Sequence, residues 1–159
     1  VPGMPRSLRL LPAAGHEIVE HARAGYPNEV CGLIAGRQGM GLVVFRGQNI
    51  APAPRVSFEL DAQTLLRQME FEELGLELVA IYHSHPAGPE EPSPTDVVCA
   101  FYPEAAAIIC SLAGADPRLR AFSIVDGQVS ELEPAWISEA GGRSQETEPK
   151  GSCKSHTKY

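Results

Sequence analysis

Lysine is all but missing from this chain: of 159 residues only Lys150, Lys154 and Lys158 are lysines, and they fall in the last ten positions. Up to Glu133 every positively charged side chain is Arg, a bias that the codon usage of a GC-rich genome explains without any functional cause. Long apolar runs are missing too. None approaches the roughly 20 residues that a membrane-crossing helix needs. No basic segment followed by an apolar stretch opens the chain, so no secretory signal is read, and the cytoplasm is the expected setting. Cys31, Cys99, Cys110 and Cys153 include no Cys-x-x-Cys pair, which argues against a cysteine-held metal. Cys31, Cys99 and Cys110 each stand among apolar neighbours and are expected as buried thiols. Net positive charge is absent: at −7 the chain is a poor electrostatic match to a polyanion, so DNA or RNA binding is not expected.

What is present suffices for one domain. Apolar residues make up 43% and charged residues 21%, a globular balance that can bury a single core. Residues 1–5 read as a leader, 6–136 as the domain, and 137–159 as a polar, disordered tail. Ser7 to Leu11 suggests a first strand. Pro12 opens a helix to Gly25, with Ile18, Val19 and Ala22 at helical spacing. Val30 to Ala35 reads as a buried strand, Gly39-Met-Gly41 as a turn, and Leu42 to Phe45 as the return strand. After a Pro-rich loop, Val56 to Leu60 alternates like a strand, and Asp61 caps a helix running to Glu73 with Leu65, Leu66 and Met69 on one face. Leu78 to His83 reads as a strand, Ser84 to Pro92 as a loop, and Ser93 to Phe101 as a second capped helix. Ala105 to Leu112 is the best candidate for a central strand, and Leu119 to Val125 and Val129 to Leu132 form a hairpin around Asp126-Gly127. Strands and helices alternating in this irregular way predict an α/β fold, a mixed sheet covered by helices.

The chemistry is concentrated between Tyr82 and Asp96. His83 and His85 lie two apart at a strand end, so both imidazoles project from one face, an arrangement that suits zinc. Ser93-Pro-Thr-Asp96 has the form of a helix start, with Ser at the N-cap and Asp at the third position. Asp96 is thereby either a capping residue alone or an ordered third metal ligand. Two His and one Asp leave a fourth tetrahedral position for water, the pattern of a catalytic zinc, although such a set also holds other divalent ions. Glu29, just before the buried strand, is a candidate base, since a carboxylate there is costly to bury without a partner.

Glu29, then His83-Ser84-His85-Pro86, then Ser93 after seven intervening residues and Asp96 three further on, resembles the JAMM signature of MPN+ zinc metallopeptidases. The resemblance covers about residues 7 to 133. It is nearest to the small single-domain bacterial type that includes processors of sulfur-carrier proteins, to which Asn49, Phe58 to Asp61 and Ser123 to Gly127 are also similar. It implies an MPN domain of cytidine-deaminase-like architecture, Zn2+ held by His83, His85 and Asp96, Glu29 as general acid/base, and Ser93 as donor to the oxyanion. A Ser93 hydroxyl spent on an N-cap would conflict with that last role. The resemblance further implies, as substrate, a ubiquitin-like or sulfur-carrier protein with a Gly-Gly C-terminus, joined to a lysine side chain or a cysteine. It leaves a homodimer open. Glu90 and Glu91 read as solvated loop charges, or as an attraction for a cationic amine side. Three other readings compete. A non-catalytic MPN scaffold usually lacks the ligands kept here. A RadC-like DNA-repair protein usually has Asn where Ser84 stands. A purely structural zinc site would unfold when stripped.

Overall fold

The computed structural model describes residues 7–136, so the expected tail, 137–159, lies outside the described residues. Eight strands form one mixed sheet in the order β7-β6-β5-β4-β2-β3-β1-β8. Along the chain these are β1 (Leu8–Leu10), β2 (Cys31–Arg37), β3 (Met40–Arg46), β4 (Glu77–His85), β5 (Ala106–Ser111), β6 (Arg118–Val125), β7 (Gln128–Leu132) and β8 (Pro134–Trp136). Four helices cover it: α1 (Pro12–Gly25), α2 (Ala62–Leu66), α3 (Gln68–Glu73) and α4 (Pro94–Val98). β4 pairs antiparallel with β2 and parallel with β5, and the β4-to-β5 crossover carries α4.

Alternation along the strands sorts the core onto two faces. Ile34, Ala80, Tyr82, Ile108 and Cys110 point one way and pack against Ile18 and Ala22 of α1. Their neighbours point the other way: Leu33 and Ala35 meet Phe71 of α3, while Ile109, Phe122 and Ile124 meet Val97 of α4. Gly32 lets Tyr82 in, because a Cβ there would stand 2.4 Å from the ring. Tyr82 is fully buried, and its hydroxyl lies 2.7 Å from His21 Nδ1 on α1.

Several expectations shift in the structure. β4 continues through Ser84 and His85, because β5 pairs with both and Leu112 donates to the His85 carbonyl. The first hairpin turns at Gln38-Gly39, both with positive φ, so Met40 and Gly41 are already strand. Asp126-Gly127 turns the last hairpin as its sequence requires, at φ 49° and 75°. The helix begun by Asp61 breaks at Arg67 into α2 and α3, which leaves Leu66 and Met69 exposed and buries Thr64 and Phe71 instead. Val56 to Leu60 is no strand; only Leu60 makes a bridge, to Asn49. α4 stops at Val98, and Cys99 is exposed rather than buried, whereas Cys31 and Cys110 are buried as expected.

Burial, aided by Arg46 and opposed by Glu17, pushes His21 down from 6.5 to about 4. Its neutral ring shares a hydrogen bond with the Tyr82 hydroxyl. Between those two values the unfolded chain holds a proton that the folded chain refuses, so stability falls as pH drops through that window and is regained above it. Urea denaturation from pH 7 to pH 4 checks this. Wild type is expected to lose stability relative to His21→Gln as pH falls through that window; parallel curves would contradict it.

Candidate active site

β4 ends at the centre of the sheet, and its last residues project side chains alternately. His83 and His85 face the side covered by α2, α3 and α4; Ser84 faces the opposite side and is fully buried. The two Nε2 atoms are 3.0 Å apart, and Asp96 Oδ2 lies 3.2 Å from each. Asp96 reaches this point from the first turn of α4. There Ser93 and Asp96 form the expected capping box: the Asp96 amide donates to Ser93 Oγ (3.1 Å), and the Ser93 amide donates to Asp96 Oδ2 (2.8 Å). Capping and ligation are therefore not alternatives for Asp96. The oxygen that takes the Ser93 amide is the one that faces both imidazoles.

His85 Nδ1 sits 2.7 Å from the Pro89 carbonyl. A carbonyl only accepts, so Nδ1 carries a proton, and Nε2 is the ring nitrogen left to face the cluster. Glu29 approaches from just before β2, the strand that pairs with β4. Its carboxylate is 4% exposed, with Oε1 3.6 Å from His85 Nε2 and Oε2 buried without any hydrogen-bond partner. Burial raises the Glu29 carboxyl from 4.5 to about 7, with His85 opposing and Asp96 adding to the rise. Burial alone would raise Asp96, but the imidazoles and the Ser93 amide hold it well below the usual carboxylate range. His83 is held down by burial; at His85 burial is outweighed by Asp96, the Pro89 carbonyl and Glu29.

Lewis bases converging in this way fit a cation. Glu29, His83 and His85 are buried and offer ligand atoms within 4.8 Å of one another. The His83, His85 and Asp96 atoms form a triangle with edges of 3.0–3.2 Å. One face of a tetrahedral site with bonds of about 2.0–2.1 Å has edges of about 3.3 Å. The orphaned Glu29 Oε2 is a further observation in favour, since a buried carboxylate oxygen without a partner is costly. The chain can thus hold a metal ion here.

Glu29, His83, His85, Ser93 and Asp96 all come together, as their motif spacing anticipates. Other contributors were not apparent from sequence. Phe58 stacks on the His83 ring at 4.4 Å and 22°. Ser84 Oγ accepts the Val30 amide at 2.8 Å, while the Ser84 amide donates to the Val30 carbonyl at 2.9 Å, fastening the residue after Glu29 to the strand that carries His83 and His85. Glu90 and Glu91 are paired rather than free: Arg118 and Arg120 reach Glu90 at 3.5 and 3.8 Å, and Arg120 reaches Glu91 at 3.6 Å. An apolar groove of about 500 Å³ runs from His83 and Asp96 between α2 and α4, walled by Leu60, Leu65, Ile81 and Phe101.

Fold and site together define an α/β domain with a histidine–carboxylate centre at the carboxyl end of its middle strand. Residues 12–125 match the prokaryotic homologs of the JAB domain, and the chain belongs to that family. It is 36% identical over 135 residues to the desampylase of Haloferax volcanii, across 80% of this chain and 95% of that one. It is 36% identical over 131 residues to the CysO-cysteine peptidase of Mycobacterium tuberculosis, across 77% of this chain and 85% of that one. A protein of Desulfitobacterium hafniense with a known solution structure shares the fold at a TM-score of 0.75 and 31% identity, covering 83% of this chain and 94% of that one. The expected family and its α/β architecture are those found. No helix among the described residues is long and apolar enough to cross a membrane.

Proposed function

We propose that this chain is a zinc-dependent peptidase or isopeptidase acting on conjugates of ubiquitin-like or sulfur-carrier proteins, and that it hydrolyses the amide bond after a C-terminal Gly-Gly. The observation that carries the reading is the convergence of His83, His85 and Asp96 beside the partnerless Glu29 carboxylate. The names of the two relatives, a desampylase and a peptidase for a carrier–cysteine adduct, support the substrate class and leave two leaving groups, protein lysine or cysteine. The cytoplasm is the compartment in which such conjugates would be met.

His83, His85 and Asp96 would hold the zinc. Bound there, zinc supplies Lewis acidity, which brings the pKa of a ligated water to about 7 and polarises a carbonyl. Glu29 takes the proton of the attacking water at Oε2 and later delivers it to the departing amine. A carboxyl held near 7 by burial can do both at neutral pH. Ser93 can cap α4 and still assist. The cap uses a lone pair of its hydroxyl, since the Asp96 amide donates to it, and the O–H proton remains free for the oxyanion. Ser93→Ala is therefore expected to lower kcat by about 10²–10³-fold while zinc stays bound. A loss below threefold would assign Ser93 to the cap alone.

Intact-protein mass spectrometry tests the reading directly. The chain is mixed with a ubiquitin-like carrier ending in Gly-Gly-Cys, and separately with the same carrier joined to a lysine side chain. Cleavage after Gly-Gly is expected, and the preferred substrate identifies the leaving group. A folded, zinc-loaded chain that cleaves neither would sink the proposal.

A further inference from the structure

We infer that Asn49 is a positioning residue for catalysis: its side chain fixes the Glu29 peptide to the loop that packs on the metal ligands. The inference rests on the role just proposed for Glu29. Glu29 precedes β2, so its own peptide has no partner strand to pair with. The loop after β3 supplies the missing bonds. The Glu29 amide donates to the Pro54 carbonyl at 2.7 Å, and the Glu29 carbonyl accepts Asn49 Nδ2 at 2.9 Å. Asn49 Nδ2 also donates to the Ser57 carbonyl (3.0 Å), and Oδ1 accepts the amides of Ala51 (3.0 Å) and Glu59 (3.1 Å).

One side-chain amide thus makes all four hydrogen bonds it can make. Two carbonyls on one side and two amides on the other leave only one orientation for it. Ser57 and Glu59 bracket Phe58, whose ring lies on His83. The same side chain therefore ties the base to the loop whose Phe58 ring is anchored on His83. Holding reacting groups to within a fraction of an ångström matters, since a displacement of about 1 Å can cost 10²-fold in rate.

Asn49→Asp keeps the acceptor but turns a second carboxylate oxygen towards the Glu29 and Ser57 carbonyls. In the full chain, on a carrier substrate that wild type cleaves, kcat is expected to fall about 10–100-fold, with KM changed less than about twofold and bound zinc per chain unchanged. In a Glu29→Gln background, followed by single turnover at high enzyme concentration, the same change is expected to lower the residual rate by less than about twofold, because the group it positions is gone. Asn49→Gln, with the same amide on a longer stem, serves if Asn49→Asp fails to fold. Phe71→Leu, a core change under α3, controls for lost stability: it lowers the melting temperature and keeps kcat. An unchanged kcat in the Asn49 variant overturns the assignment, as does a loss that tracks loss of zinc or is equal in both Glu29 backgrounds. A wild-type chain that cleaves nothing instead removes the functional reading on which the inference stands.

Discussion

Replacing Glu29 by Gln is expected to lower kcat by about 10²–10⁴-fold while zinc content and fold are kept. Gln has almost the shape of Glu, so the 4% exposed site keeps its packing. What disappears is the ability to take and return a proton. Removal of the carboxylate also ends an unfavourable burial, because Oε2 has no hydrogen-bond partner and Asp96 raises the Glu29 carboxyl further. In the absence of added metal, Glu29→Gln is therefore expected to melt no lower than wild type. Kinetics on the cleaved carrier conjugate, zinc stoichiometry and a thermal melt check the three parts together. A variant within tenfold of the wild-type kcat would remove Glu29 from the proton path. Loss of zinc along with activity would make it a ligand instead.

The legible part of the site was the local part. Ser93, Asp96 and the alternation of His83 and His85 are set within a few residues by helix capping and strand geometry, and both appear in the structure as their spacing dictates. The pairing of β2 with β4, Cys31 against His83, brings Glu29 across 54 residues of sequence to the same point. No periodicity encodes that approach; only the resemblance to a family motif pointed to it. Asp126-Gly127 and the Pro12 helix start were equally local and equally readable.

Where local patterns misled, a side chain from elsewhere had taken the backbone. Val56 to Leu60 alternates like a strand, but Asn49 takes the Ser57 carbonyl and the Glu59 amide that a neighbouring strand would need. The apolar spacing of Leu65, Leu66 and Met69 suits one continuous helix. The break at Arg67 turns the last two outwards, and Phe71 fills the core against Phe45. Cys99 has apolar neighbours in sequence, yet it lies past the end of a five-residue helix, on the side of Val98 and Phe101, which are themselves exposed, while Val97 and Ala100 take the core side. Burial is a property of the face an element presents, and sequence neighbours do not report it once the element is shorter than two turns.

Asp96→Ala is expected to abolish measurable cleavage, and for a reason separable from that of Glu29→Gln: it should lose the metal. Among the described residues Asp96 supplies the only oxygen lying 3.2 Å from both imidazoles, and those imidazoles with the Ser93 amide keep it ionised against the cost of burial. Its removal leaves two neutral nitrogens and the more distant Glu29, 3.6 Å from His85. Ligand binding to the folded chain alone stabilises it by about 4 kcal/mol at a thousandfold excess over Kd. Wild type is therefore expected to melt several degrees higher with zinc than after chelation, whereas Asp96→Ala is expected to show little shift at the same zinc concentration. Ser93→Ala should keep the shift, because the Ser93 amide that donates to Asp96 belongs to the backbone. If Asp96→Ala still shows the full wild-type shift, the metal rests on the other buried set, Glu29 with His83 and His85. Glu29 would then be a ligand, and the proton transfer assigned to it would need another group.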